Sequence, residues 1–105
     1  MTEKKLVQLL YDYFEANSSG DFIFWRAPAF KTFRWDIFGI FDVVIVFRTG
    51  QVHFIQVTTA PNLAARRRKI VAYFEQVKFK IPNAYIFAWS DINEEFIIEE
   101  IWSFQ

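Results

Sequence analysis

The sequence predicts an α/β protein, a mixed central β-sheet flanked by helices in the order α-β-β-β-α-β(-β). Three features predict it. Leu6, Leu9, Leu10, Tyr13 and Phe14 recur at three- and four-residue spacing, the pattern of a helix with one buried face. Asp42 to Phe47 and Val52 to Thr59 are strand-length apolar runs on either side of Thr49-Gly50-Gln51, a hairpin signal. A helical segment then separates the second of these runs from another apolar run, Ala84 to Trp89. A strand-helix-strand unit joins its strands in parallel through a right-handed crossover, so a sheet that begins antiparallel becomes mixed.

In chain order, Thr2 is a suitable N-cap for a first helix from Glu3 to Ala16, which Asn17-Ser18-Ser19-Gly20 stops. Asp21 to Ala27 reads as the first strand, and Pro28, which cannot donate to a ladder, ends it. The stretch from Pro28 to Trp35, with Lys31 and Arg34, reads as a loop into the hairpin, and Asp36 as a turn or cap residue. Ala60-Pro61-Asn62 closes the third strand. Asn62 can cap a second helix from Leu63 to about Val77, with a buried stripe of Leu63, Ile70, Phe74 and Val77. Ile81-Pro82-Asn83 precedes the fourth strand, and Glu95 to Trp102 reads as a fifth with weak alternation.

One core is expected from 105 residues. Aromatic residues make up 21% of the chain and include 14 Phe, more ring surface than a small monomer easily hides, so a homodimer or another partner face is expected. The four tryptophans, Trp25, Trp35, Trp89 and Trp102, are assigned to core and dimer packing ahead of stacking on bases. The absence of cysteine excludes disulfides and thiolate metal sites, and fits a reducing, cytoplasmic setting. The apolar runs are strand length, and no membrane span is expected.

Twelve basic residues balance twelve acidic ones, which removes the simple basic-protein case for nucleic acid. The charges are segregated all the same. Arg66, Arg67, Arg68, Lys69, Lys78 and Lys80 stand against Glu75 alone, while Asp91, Glu94, Glu95, Glu99 and Glu100 form an acidic run. The basic run is either a solvated face or a strip that contacts phosphates.

The hairpin carries the chemistry. Asp42 opens an otherwise apolar strand, and Gln56 and Thr58 lie near the end of the next. A buried carboxylate needs a partner or a cation, so Asp42 is either a satisfied structural acid or a ligand. A three-residue loop Thr49-Gly50-Gln51 would pair Asp42 with Thr58 and Val44 with Gln56, and all three polar groups would share a face. His53 has the opposite parity and reads as an exposed strand residue.

With this order and the Asp42/Gln56 pair, the chain resembles the PD-(D/E)xK, or restriction-endonuclease-like, nuclease superfamily, nearest to its small Holliday-junction-resolvase-like members. Glu3 followed by Leu6, Val7, Leu9 and Leu10 resembles the opening of their first helix, Arg26 the basic residue near the end of the first strand, and Asp42 the motif aspartate. Gln56-Val57-Thr58 occupies the acid-x-Lys place, with Gln a known variation and Thr a departure. Arg34-Trp35-Asp36 to Gly39, Gln56 to Thr59, Ala65-Arg66 and Lys69-Ile70 also look like a group of small phage and bacterial proteins assigned to this superfamily.

The resemblance implies a divalent-metal-dependent DNA endonuclease or resolvase-like phosphodiester hydrolase. Its catalytic residues would be Asp42, Gln56, Thr58 and Lys69, with Glu3, Asp42 and Gln56 holding Mg²⁺ or Mn²⁺. Glu3 has a plainer reading as an acid favoured by the helix dipole. Lys69 would replace the missing lysine if its helix face, shared with Arg66 and Tyr73, looks over the third strand; otherwise that face is solvated. Arg26, Arg34, Arg66 and Arg67 are the candidate contacts to duplex or branched DNA. The alternative is a catalytically inactive nucleic-acid-binding or dimerisation module on the same fold.

Overall fold

A computed structural model describes residues 1–18, 21–27, 40–78 and 80–101. It is an α/β structure of two helices and a five-stranded mixed sheet: α1 (Glu3–Asn17), β1 (Phe22–Arg26), β2 (Val43–Phe47), β3 (Val52–Thr59), α2 (Leu63–Val77), β4 (Ala84–Ser90) and β5 (Glu95–Glu100). The strands lie in the order β1-β2-β3-β4-β5, antiparallel throughout except where β3 meets β4. The observed order differs from the expected one in a 3-10 turn, Ala60–Asn62, between β3 and α2; the expected fifth strand is present over Glu95–Glu100 and pairs with β4 from Tyr85–Glu100 to Ser90–Glu95.

The helices take opposite faces of the sheet because strand side chains alternate. On one face Leu6, Val7, Leu10 and Phe14 of α1 pack on Val43, Ile45, Ile55, Val57 and Phe87. On the other, Ile70 and Phe74 of α2 pack on Ala84, Ile86 and Ala88, with Phe41 and Ile81. Leu63 and Val77 of the expected stripe are only half-buried. Thr2 caps α1, its hydroxyl accepting from Lys5 N at 3.2 Å. Asn62 does not cap α2; its amide nitrogen donates instead to Thr59 Oγ1 at 3.2 Å. The Pro28 to Trp35 loop, Asp36 and Trp102 lie outside the described residues.

The hairpin register is a correction. Phe47 N donates to Gln51 O and Gly50 N to Phe47 O, so the three-residue loop is Arg48-Thr49-Gly50, with Gly50 at φ +90°. Glycine meets that dihedral without a Cβ penalty, which places the bulge residue at position 50 rather than letting the loop run on to Gln51. The loop therefore begins one residue earlier than expected, and the pairing moves by two: Val44 faces Phe54 and not Gln56, and the ladder ends at Val43 with Ile55, so Asp42 is not paired with Thr58. A shift of two preserves parity along the paired residues, and Asp42 still meets Gln56, whose Nε2 donates to its Oδ2 at 2.8 Å.

His53 is not the exposed residue its parity suggested. Its ring sits 4.8 Å from Phe47 and 4.9 Å from Tyr85, stacked on the latter. Burial lowers its pKa below the ordinary value against an opposing pull from Glu100. The same face holds a ring cluster that includes Tyr13, Phe14, Phe22, Phe87, Phe96 and Trp89, so much of the aromatic content is packed within the monomer. Ile23 and Trp25 of the edge strand β1 remain 68% and 50% exposed.

Candidate functional site at the end of the sheet

One end of the sheet gathers most of the polar residues singled out by the sequence. There β1 ends at Arg26, β2 begins after Asp42, β3 ends at Thr58 and Thr59, and both helices begin. Glu3 of α1 accepts from Arg26 Nη2 at 2.9 Å. Glu3, Val57, Thr58, Thr59, Asn62 and Arg66 line a cleft of about 340 Å³. It lies at the carboxyl end of a parallel strand where the chain turns into a helix, the place where open α/β sheets take ligands.

Asp42 and Gln56 lie beneath this cleft, 4% and 5% exposed. Asp42 N donates to Ile55 O, although Val43 is the residue opposite Ile55, so two residues face one in a local bulge. The bulge aims the carboxylate along the edge of β3. Its Oδ2 accepts from Gln56 Nε2 at 2.8 Å and from Val57 N at 3.0 Å. The second bond extends the ladder beyond the last pair, Val43 with Ile55, with a carboxylate in place of a backbone carbonyl. Gln56 and Thr58 lie beside Ile86 and Ala88 in the parallel register, which sets both on the α2 face.

Mg²⁺ demands near-octahedral oxygen donors at about 2.0–2.1 Å, and no such set is assembled among the described residues. Gln56 turns its amide nitrogen, a donor, toward Asp42 Oδ2. Glu3 is engaged by Arg26. Among the described residues no group of three or more His, Cys, Asp or Glu side chains is arranged to hold a metal. Asp42 and Gln56 have the geometry of a satisfied acid-amide pair.

Thr58 lines the cleft, 4% exposed, and among the described residues its hydroxyl has no hydrogen-bond partner. Arg66 is half-buried there and, among the described residues, has no counter-ion. Lys69 is exposed and is not among the residues that line the cleft. Arg67 points to the far edge, where its Nε and Nη2 donate to the two Glu99 oxygens at 2.6 and 2.8 Å. Those bonds, with the Glu99 charge, raise its pKa above the ordinary value. The basic and acidic runs thus meet at Arg67 and Glu99. Arg34 lies outside the described residues.

Thr59 and Asn62 belong to the cleft but were not singled out as site residues. Their position, at the junction of a strand end and a helix start, was the available signal. Compared with family models, curated proteins and solved structures, the chain gave no match in any of the three.

Proposed function

We propose that the protein is a nucleic-acid-binding module on a restriction-endonuclease-like scaffold, contacting the phosphate backbone at the end of the sheet without hydrolysing it. Arg66, in the cleft with no counter-ion among the described residues, is the observation that carries this reading. A guanidinium fork fits phosphate geometry, and Lys69, exposed three residues further along the same helix, extends the positive surface. The hydrogen bonds from Gln56 Nε2 and Val57 N to Asp42 Oδ2 give the carboxylate a structural role, which supports binding over hydrolysis.

The second reading is the metal-dependent endonuclease. It is favoured by the convergence of Glu3, Arg26, Asp42, Gln56 and Thr58 at one sheet end. One experiment separates the two: labelled four-way, flap and linear DNA is incubated with the protein in EDTA and in Mn²⁺, beside Asp42→Ala and Lys69→Ala. The binding module retains DNA in EDTA, weakening steeply with salt, and cleaves none of the substrates. Nicking that needs Mn²⁺ and disappears in Asp42→Ala would establish the nuclease instead, and no retention in low salt would remove both.

A further inference from the structure

We infer that the cleft at the end of β3 is a cation-independent site for a single phosphate group, held by the Arg66 guanidinium and the Thr58 hydroxyl. The inference deepens the nucleic-acid reading and rests on it only for what carries the phosphate. Buried hydroxyls nearly always have a partner, and leaving one unpaired is costly. Thr58 lines the cleft and its hydroxyl, among the described residues, has none, so a ligand oxygen reaching it from the cleft would complete it.

Three further features set the sign of the ligand. Arg66 offers five N–H donors with no carboxylate on them among the described residues. The start of α2 also lacks a side-chain cap, because the Asn62 amide is turned to Thr59, so the positive end of the helix dipole opens on the cleft. Glu3, the one acid on the cleft wall among the described residues, is held by Arg26 at 2.9 Å. A doubly or singly charged phosphate oxygen set matches this wall, and a cation does not.

The site is tested by titrating ¹⁵N-labelled protein with inorganic phosphate in EDTA, in the wild type, Arg66→Ala, Thr58→Val, Thr58→Ser and, as a charge-matched control at the opposite end of the sheet, Arg48→Ala. Wild type, Thr58→Ser and Arg48→Ala give shifts confined to residues 57–66, while Arg66→Ala and Thr58→Val bind about tenfold or more weakly, the loss of a hydrogen bond to a charged group. Dispersed spectra confirm that each variant is folded. Equal binding by Arg66→Ala, shifts elsewhere, or a need for Mg²⁺ would overturn the site. A labelled oligonucleotide in the same buffer separates the two proposals. Phosphate binding without oligonucleotide binding leaves the site and removes the nucleic-acid reading. Oligonucleotide binding unchanged by Arg66→Ala and Thr58→Val removes the site and leaves that reading.

Discussion

Replacing Asp42 with alanine tests whether its carboxylate is part of the sheet or a ligand. In the folded protein it is the acceptor for Val57 N and Gln56 Nε2. Alanine leaves both donors buried without that partner, at about 1–3 kcal/mol each. The two losses share one site and are not additive, so the expected destabilisation is about 2–4 kcal/mol. Against a total stability of about 5–15 kcal/mol this is a large fraction, and at about 4–8 °C per kcal/mol it lowers Tm by roughly 10 °C or more. Urea unfolding followed by circular dichroism measures it as a lower midpoint with an unchanged slope. Adding Gln56→Leu to Asp42→Ala should recover about 1 kcal/mol, because the stranded amide is then gone. A loss under about 0.5 kcal/mol in Asp42→Ala would refute the structural role. A Tm raised by Mn²⁺ in the wild type and indifferent to it in Asp42→Asn would return the carboxylate to the cation ligands.

The chain has one histidine, so an NMR titration reads His53 directly; its pKa should fall below 6.5 because the folded state resists its charge. The unfolded chain then takes up the proton first, so stability is full above pH 6.5 and declines as pH falls toward the folded value, and His53→Phe should flatten that decline. Arg67→Ala should cost at most about 1 kcal/mol, reduced further by salt, and leave DNA affinity unchanged, since its charge is taken by Glu99. An affinity loss matching that of Arg66→Ala would restore it to the nucleic-acid surface. Sedimentation tests the expected homodimer: if the exposed Ile23 and Trp25 form its face, the wild type is dimeric and Ile23→Ser/Trp25→Ser monomeric, whereas a monomer at all concentrations removes it.

Much of the fold was legible because it is written in local patterns. The spacing of Leu6, Leu10 and Phe14 marked α1, the β-branched run Val43 to Val46 marked β2, and the enclosed helix forced the parallel pair β3 and β4. The loop register was harder to read, because Arg48-Thr49-Gly50 and Thr49-Gly50-Gln51 place glycine in different loop positions yet give the same parity. His53 was misjudged because parity names a face and not its neighbours. Phe47 and Tyr85, which cover the ring, come from separate strands.

The site divides in the same way. Sequence periodicity was enough to put Gln56 and Thr58 on one face and an acid opposite them, since alternation is a property of every extended chain. Only the folded chain decided what those groups do. The bulge at Asp42 turned its carboxylate onto Val57 N, the packing of α1 joined Glu3 to Arg26, and the crossover brought Arg66 to the same cleft as Thr58 while sending Arg67 to Glu99. These contacts join residues up to 32 positions apart and depend on ångström-scale geometry. No short-range pattern carries that information, because hydrogen bonds are satisfied by whichever groups the assembled layers bring within about 3 Å.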